Sequence, residues 1–308
     1  MTNIYLIQAH QYPGQLKRLI KRINSENVLF YIHIDLKTDI EPFKDVISGK
    51  NIVFIKDRVD CIWGDFSQVQ ATLNLCEEVL NQGFDLDTRI TLLSGQDYPI
   101  KSKDYIREFF NNNKGIDFIN IEKIDKSRIH HLRNLKAFKI NHSSKRSDFT
   151  LISKYHYKNI LKSLFYKKIS FKDLKLLFKN KCVPLGMKPY RGSSWWSFNY
   201  TTLEAVLNFY QKNKDVLNVF YSQTFCPDEN FFQTILMHLK NEDNSIEINA
   251  SITYDNWIRK GVDLPVTFQL SDFDELDNQP NNKLFARKFD SNFDSLIMNE
   301  LDKKLGYE

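Results

Sequence analysis

The sequence IYLIQAH at residues 4–10 and the sequence VLFYIHID at residues 28–35 are short apolar runs, each typical of a buried β-strand. Between them, QLKRLIKRI at residues 15–23 repeats its apolar side chains every three or four positions, which predicts an amphipathic helix. A strand, a helix and a second strand in this order are typical of a parallel βαβ unit. NIVFI at residues 51–55 predicts a third strand of the same sheet.

The chain after residue 60 continues this alternation of strands and helices. SQVQATLNLCEEVLNQG predicts a helix with Ser67 as its N-cap and Gly83 as its stop. RITLLSGQDYP at residues 89–99 then predicts a fourth strand. The expected fold class is therefore α/β, with a mixed but mostly parallel sheet flanked by helices, and we expect residues 1–308 to form a single domain.

The composition is that of a globular protein. Hydrophobic residues make up 42%, charged residues 26% and aromatic residues 14% of the 308 positions, which excludes disordered, collagen-like and coiled-coil chains. Four cysteines without a CxxC pair favour neither a disulfide framework nor a zinc site.

The N-terminus does not resemble a signal peptide, and no apolar run approaches the roughly 18 residues that a membrane span needs. A cytoplasmic location is expected.

Positive charge is concentrated in residues 126–191, here called the basic segment. It contains eighteen Lys and Arg against two acids, a net charge of +16 in a chain whose total is +5. The apolar side chains that can share one helical face there are Ile160, Leu161, Leu164 and Phe165. One interpretation is a solvated helical insertion, and the other is a surface facing anionic lipid or a pyrophosphate-bearing acceptor. An alternative function, a basic module that binds lipid or nucleic acid without catalysis, explains this segment but not the motifs outside it.

Two acids follow predicted strands. Because ligands of open α/β sheets bind beyond the carboxyl ends of the strands, Asp35 and Asp97 both lie where a nucleotide or sugar would bind. Either could instead be a helix N-cap or an Asx turn. Neither GxGxxG nor GxxxxGK[ST] occurs, so a bound phosphate would have to be held by side chains.

Two later motifs carry further candidates. In CPDENFF, Glu229 is a candidate base, although acids in the first turn of a helix are also common for structural reasons. In LFARKFD, Arg287 and Lys288 are consecutive cations, and on a regular strand they would point to opposite faces. No histidine or acid spacing suggests a metal site.

Eight sequence blocks, in their order along the chain, resemble the core-2/I-branching glycosyltransferase family. They are YLIQAHQYPGQLKRL, FYIHIDLKTD, RVDCIWGDFSQVQATLNL, ITLLSGQDYPIKS, GSSWWSFNY, FCPDENFFQTIL, ITYDNWIRKG and LFARKFD. The resemblance runs from about Ile4 to Asp290 and is interrupted by the basic segment. It implies a GT-A fold, which is a Rossmann-like sheet with a sugar nucleotide at its carboxyl edge, and sugar transfer with inversion from a UDP donor without a divalent metal.

The resemblance also implies roles for individual residues. Glu229 corresponds to the family's general base. The residues implied on the donor side are Arg287 and Lys288 at the diphosphate, Asp35 beside the uridine, Asp97 at the donor sugar, and His10, Arg58, Trp63 and Gly64. Those implied on the acceptor side are Ser194, Trp195, Trp196 and Trp257. No metal and no cofactor other than the UDP-sugar substrate is implied.

The expected function is the inverting, metal-independent transfer of GlcNAc or xylose from a UDP-sugar to a glycan hydroxyl in surface polysaccharide synthesis. Adjacent Arg and Lys resemble the xylosyl branch of the family and its bacterial homologues. The expected partners are the UDP-sugar, a glycan acceptor that includes lipid-linked forms, and the anionic inner face of the plasma membrane, which the protein would contact peripherally. Nucleic acid is not an expected partner.

Overall fold

A computed structural model describes residues 1–307 of the chain. The strands are β1 (Asn3–Ala9), β2 (Val28–Ile34), β3 (Ile52–Phe54), β4 (Arg89–Ser94), β5 (Asp97–Pro99), β6 (Ile116–Phe118), β7 (Glu122–Lys123), β8 (Phe138–Asn141), β9 (Phe149–Ile152), β10 (Tyr190–Arg191), β11 (Ser197–Asn199), β12 (Glu247–Asn249), β13 (Thr253–Asp255) and β14 (Phe285–Arg287). The α-helices are α1 (Pro13–Ile23), α2 (Glu41–Val46), α3 (Phe66–Gln82), α4 (Lys103–Asn112), α5 (Ile129–Leu135), α6 (Tyr157–Phe165), α7 (Tyr200–Lys212), α8 (Lys214–Tyr221), α9 (Phe231–Glu242), α10 (Phe273–Asp277) and α11 (Leu296–Lys304). Within residues 1–307, no helix has both the length and the apolar character needed to cross a membrane.

Seven strands form the central sheet, in the order β12-β6-β11-β4-β1-β2-β3. Its strand pairs are parallel except that β11 runs antiparallel to both β4 and β6. At the centre of the sheet, Ile4 of β1 lies opposite Leu29 of β2 and Ile90 of β4. The predicted fold class, a mixed but mostly parallel sheet flanked by helices, is confirmed.

The side chains of β1 alternate between two apolar cores, one on each face of the sheet. Tyr5 and Ile7 lie in the core that also contains the apolar faces of α1, α4 and α11. Ile4 and Leu6 lie in the other core, with α3, α7 and α9. Successive side chains of a strand point to opposite faces, and helices cover both faces here, so a central strand is apolar along its whole length.

Helix α3 begins slightly before its predicted start. The side chain of Asp65 accepts a hydrogen bond from the backbone NH of Ser67, so Asp65 is the N-cap and the predicted cap Ser67 lies inside the helix. The Ser67 hydroxyl instead accepts from the backbone NH of Ile62. Gly83 ends the helix as predicted, with a positive φ of 68° that favours glycine.

Residues 89–99 form two strands rather than one. The Asp97 carboxylate accepts hydrogen bonds from both the backbone NH and the hydroxyl of Ser94, and these bonds close a turn between the two strands. As a result, β4 stays in the central sheet while β5 pairs with β14 in a separate three-stranded sheet, in the order β13-β14-β5. This small sheet carries Arg287 towards the carboxyl edge of the central sheet.

The basic segment contains helices α5 and α6 but also an antiparallel hairpin of β8 and β9, which the sequence did not predict. A small apolar cluster joins the hairpin to α6 and the residues after it, and consists of Phe138, Ile152, Ile160 and Ile169. On α6, Ile160 faces this cluster while Leu161 and Phe165 are exposed, so the predicted four-residue face is not buried as a unit. Leu161 and Phe165 each lie one position, about 100°, around the helix from a residue that packs on this cluster.

Lys181 attaches the end of the basic segment to the rest of the molecule. Its ammonium group donates to the carbonyl oxygens of Ala137 and Gln223, at 2.9 and 2.7 Å, and to the Thr224 hydroxyl at 2.9 Å. Burial lowers the pKa of Lys181 to about 7. These bonds hold the hairpin side of the segment against the chain at residues 223–224.

Candidate active site

A large cleft opens at the carboxyl ends of β1, β2 and β4. Its volume is about 1630 Å³, whereas pockets for one small ligand usually occupy about 300–1,000 Å³, so it has room for two substrates. The predicted site residues that line it are His10, Asp35, Trp63, Gly64, Ser194, Trp195, Glu229, Trp257, Arg287 and Lys288. Residues separated by almost the whole chain therefore meet at one edge of the sheet, as expected for an open α/β fold.

Glu229 lies at the end of a short 3₁₀ turn, Pro227–Glu229, on one wall of the cleft. Its Oε2 accepts a hydrogen bond from Nη2 of Arg191 at 2.8 Å, and Nη1 of Arg191 lies 3.0 Å from Nε2 of His131. Burial, and then the negative charge of Asp228, raise the pKa of Glu229, while the ion pair with Arg191 opposes that rise. The side chain is 31% exposed, so a substrate can reach a carboxylate whose basicity is increased.

Asp228 lies beside Glu229, but its carboxylate binds a different residue. Its Oδ2 accepts from the hydroxyl of Ser194 at 2.7 Å, and its Oδ1 is buried without a hydrogen-bond partner. Burial raises the pKa of Asp228. Of the two neighbouring carboxylates, Glu229 is therefore the one held by a guanidinium, and Asp228 holds the predicted acceptor-side residue Ser194.

A tight backbone contact places Arg191 next to Glu229. The backbone NH of Gly192 donates to the carbonyl oxygen of Glu229 at 2.9 Å. A Cβ atom at Gly192 would lie 1.6 Å from the carbonyl oxygen of Asn120, so no larger residue fits this position. The local packing thus requires glycine here.

Arg287 and Lys288 both line the cleft, on the side of the small sheet. Strand β14 ends at Arg287, so the alternation expected for a regular strand does not apply to Lys288. The guanidinium of Arg287 stacks over the Trp195 ring, 4.4 Å from its centroid. Burial, and then the positive charges of Arg287 and Arg146, lower the pKa of Lys288.

Asp97 does not contact the cleft, contrary to its predicted place at the donor sugar. Its side chain is 0% exposed, and its Oδ1 pairs with Nε of Arg287 at 3.0 Å. The hydrogen bonds from Ser94 that close the β4–β5 turn also fix the orientation of this carboxylate. Asp97 is therefore a positioning residue for Arg287, because an acid at the base of a cation leaves the rest of the guanidinium free for a ligand.

Arg58, predicted on the donor side, is also a positioning residue. Its guanidinium donates to the carbonyl oxygens of Ile34 and Asp35, each at 2.8 Å, and to that of Thr38. These carbonyls lie at the end of β2 and just after it, where the strand pairing stops and they need other donors. Arg58 thus holds the turn that presents Asp35, while Asp35 itself lines the cleft.

Trp196 belongs to the core and not to the acceptor side. It is 1% exposed, and its ring stacks on Phe198 with a centroid distance of 4.2 Å. Trp195 lines the cleft, and its immediate neighbour turns the other way because consecutive side chains of an extended segment point to opposite sides. Trp257, half exposed, lines the cleft, and its acceptor-side role stays a prediction.

Four cations that line the cleft were not predicted: Lys37, Arg146, Arg191 and Lys240. Arg146 and Arg191 belong to the basic segment, where Lys and Arg are so frequent that no single one is recognisable as functional from the sequence. The only available signal for Arg191 was its position directly before the GSSWW block. Arg146 carried no such signal, because only the folded hairpin brings it to the cleft.

The cleft therefore combines a carboxylate of raised pKa with several cations. A carboxylate of this kind can remove a proton from a hydroxyl group, and cations can hold an anionic leaving group. Among the residues that the structure describes, no group of three or more His, Cys, Asp or Glu side chains is arranged to hold a metal ion.

Comparison with known proteins identifies the family. The family model described as "Core-2/I-Branching enzyme" matches residues 5–279. Xylosyltransferase 2 of Rattus norvegicus is 26% identical over 97% of this chain and 33% of its own length, and the xylosyltransferase of Ciona intestinalis is 25% identical over 98% and 34%. The chain thus spans about a third of the length of the curated relatives it matches.

A solved structure, mouse xyloside xylosyltransferase 1 in its apo form, aligns with 93% of this chain and 97% of its own chain at 11% identity and a TM-score of 0.36. That alignment is too loose to add to the argument. The family match is different, because it extends over most of the sequence and includes the Glu229 block. The chain belongs to the Core-2/I-branching enzyme family.

Proposed function

We propose that this protein is a glycosyltransferase that moves a sugar, xylose or GlcNAc, from a UDP-sugar to a glycan hydroxyl, with inversion and without a metal ion. The observation that carries the proposal is the placement of Glu229 in the same cleft as Arg287 and Lys288. Family membership supports sugar transfer, and the relatives named as xylosyltransferases favour xylose. The GT-A architecture implied by the family resemblance is part of this proposal.

In the proposed reaction, Glu229 acts as the general base. It takes the proton of the acceptor hydroxyl as that oxygen attacks the anomeric carbon from the face opposite UDP. The bond from the anomeric carbon to the diphosphate oxygen breaks, and UDP leaves with its electron pair. Arg191 holds the Glu229 carboxylate at 2.8 Å and so orients it towards the acceptor.

Cations in the cleft stabilise the leaving diphosphate. Negative charge grows on the UDP oxygen as the bond breaks, and fixed cations at that place lower the energy of the transition state. Arg287 offers the unpaired part of a planar fork whose Nε is held by Asp97, and Lys288 adds a compact charge. These residues supply the charge stabilisation that a divalent metal would otherwise provide.

The remaining cleft residues divide between the two substrates. Asp35, presented by Arg58 at the end of β2, is proposed at the uridine together with His10, Trp63 and Gly64. Trp257 and Ser194 are proposed on the acceptor side, where an apolar sugar face can stack on an aromatic ring. The acceptor is proposed to be a surface polysaccharide glycan, free or lipid-linked, and the location cytoplasmic, with which the four free cysteines are compatible.

The direct test is UDP release from UDP-xylose, UDP-GlcNAc, UDP-galactose and UDP-glucose, each assayed in excess EDTA. We expect UDP-xylose or UDP-GlcNAc to stabilise the protein in a thermal-shift assay and to be hydrolysed slowly, at a rate that EDTA does not change. Strict dependence on Mn²⁺ would reject the role given to Arg287 and Lys288. Absence of binding to all four donors and to UDP would reject the function itself.

We also propose that the basic segment contacts an anionic membrane. Three phenylalanines on it are almost fully exposed, Phe165 at 81%, Phe171 at 82% and Phe178 at 90%. Lysines border them at positions 162, 167, 168, 172, 175 and 179. Exposed aromatic rings among lysines fit the interface of an anionic bilayer, since the rings can enter the headgroup region while the ammonium groups meet lipid phosphates.

Vesicle flotation tests this contact. We expect the protein to float with vesicles of phosphatidylglycerol and phosphatidylcholine at low salt, but not with phosphatidylcholine alone. Replacing Phe165, Phe171 and Phe178 together with serine is expected to weaken the partition about tenfold or more, because three apolar rings no longer enter the interface. The matched control replaces the exposed Val216 and Val219 of α8 with serine and should float like the wild type. If the protein does not float with anionic vesicles at low salt, the membrane contact is rejected and the basic segment is a solvated insertion.

A further inference from the structure

The hairpin of the basic segment reaches the cleft at its turn. Ser144 and Arg146, both between β8 and β9, are among the residues that line the cleft. Arg146, a residue of the basic segment, therefore lines the same cleft as Glu229, Arg287 and Lys288. The basic segment thus forms part of the wall of the cleft.

Specific contacts hold the hairpin in this place. The ammonium group of Lys139 donates to the carbonyl oxygen of Gly64 at 2.6 Å, and the side-chain amide of Asn141 donates to Asp65 at 2.7 Å. The Phe149 ring packs on Phe225 with a centroid distance of 5.1 Å. These contacts fasten both strands of the hairpin to the loops beside the cleft, so its turn is not free to point elsewhere.

Arg146 itself is fixed by an aromatic ring and not by an acid. Its guanidinium lies over the Trp63 ring, 4.5 Å from the centroid. Across residues 1–307, no carboxylate lies within salt-bridge distance of Arg146 or of Lys288. Stacking on a ring uses the face of the guanidinium and leaves its N–H groups available at the edge.

The cations of the cleft are close enough to repel one another. The positive charges of Arg287 and Arg146 both lower the pKa of Lys288. Asp97 pairs with Arg287, and the negative charges of Asp263 and Asp290 only partly oppose the effect of the two arginines on Lys288. Cations held together in a cleft attract an anion, and a diphosphate with about two negative charges matches this group.

We propose that Arg146, delivered by the hairpin of the basic segment, binds the diphosphate of the nucleotide donor together with Arg287 and Lys288. This inference rests on the proposed function, because it takes the donor to be a nucleoside diphosphate sugar. It gives the basic segment a second role that is independent of any membrane contact. Trp63, proposed above beside the uridine, then has a second role, because its ring also holds the guanidinium of Arg146 at the diphosphate.

Calorimetric titration with UDP, UMP and uridine tests the inference. For Arg146→Ala we expect about tenfold weaker UDP binding, a smaller loss for UMP, and unchanged uridine binding, because only the phosphates meet the guanidinium. Arg146→Lys should fall between the two proteins, since lysine keeps the charge but not the planar fork. Lys145→Ala, the neighbouring cation on the same turn, is the matched control and should bind all three ligands like the wild type.

The outcomes separate this inference from the proposed function. Wild-type binding of UDP with an unchanged Arg146→Ala variant would overturn the role of Arg146 and leave the function intact. An equal loss for UDP and uridine would also overturn it, because a damaged hairpin weakens every ligand. Failure of the wild-type protein to bind UDP would overturn the proposed function and this inference with it. Thermal melting of each variant verifies that it is folded.

Discussion

Glu229→Gln is expected to reduce sugar transfer by about 10³-fold or more while UDP binds with nearly wild-type affinity. Glutamine matches glutamate in size but cannot take the acceptor proton, and loss of a general base typically costs about 10²–10⁴-fold in rate. The proposed nucleotide contacts, Asp35, Arg287 and Lys288, are other residues of the cleft. The measurements are the turnover number with saturating donor and the dissociation constant for UDP.

A matched substitution separates this effect from a general loss of negative charge. Glu41→Gln changes the same residue type on α2, outside the residues that line the cleft, where the carboxylate pairs with Lys44 at 2.9 Å. We expect this control to keep transfer within a fewfold of the wild type. Full activity of Glu229→Gln would eliminate the proposed base.

The same carboxylate should set the acid limb of the pH profile. Burial and the charge of Asp228 raise the pKa of Glu229 above its ordinary value. The base works only when deprotonated, so kcat/KM should fall as the pH drops through this raised pKa, that is, at a higher pH than an ordinary glutamate would allow. A profile that stays flat down to the ordinary pKa of glutamate would contradict the environment described for Glu229.

The sequence was sufficient to predict the sheet because its strands are buried on both faces. The apolar runs of β1 and β2 identify such strands from the local sequence alone, without knowledge of their contacts. The hairpin of β8 and β9 was missed because its strands contain Lys139 and Asn141 and so show no clear apolar pattern. Its place depends on contacts with distant residues, among them Gly64.

The site was predictable at the level of motifs but not of side-chain direction. Asp35 and Asp97 both follow core strands, yet one faces the cleft and the other is buried against Arg287. Likewise Trp195 and Trp196 are neighbours that point to opposite sides. A motif gives the position of a residue along the chain, whereas the choice between ligand contact and support of a ligand-binding neighbour depends on tertiary packing.

The second large effect is expected at the pair of Arg287 and Asp97. Arg287→Met should lower kcat/KM by about 10²–10³-fold, because a fixed cation at the leaving diphosphate is lost. It should also destabilise the protein by about 3 kcal/mol, since the buried carboxylate of Asp97 then has no cation beside it. The two losses need to be measured separately, by steady-state kinetics and by thermal or urea unfolding.

The pH dependence of that destabilisation identifies Asp97 as its source. Burial already raises the pKa of Asp97, and Arg287 is the first factor that lowers it, so Arg287→Met should raise the pKa further. The folded variant then holds its proton more tightly than the unfolded chain. Its stability relative to the wild type is therefore expected to decrease as the pH rises from the already raised pKa of Asp97 in the wild type through the higher pKa of Asp97 in the variant, and to be better at about pH 5 than at about pH 8.

The double variant Asp97→Asn/Arg287→Met separates stability from catalysis. It removes both charges, so most of the lost stability should return while transfer stays about 10²-fold or more below the wild type. Arg259→Met is the matched control. Arg259 does not line the cleft and pairs with the buried Asp272 at 2.8 Å and with Glu275 at 2.6 Å, so its loss should cost stability without costing transfer. Recovery of transfer in the double variant would show that Arg287 serves only to neutralise Asp97. In that case Lys288 and Arg146 would be the residues that stabilise the leaving diphosphate.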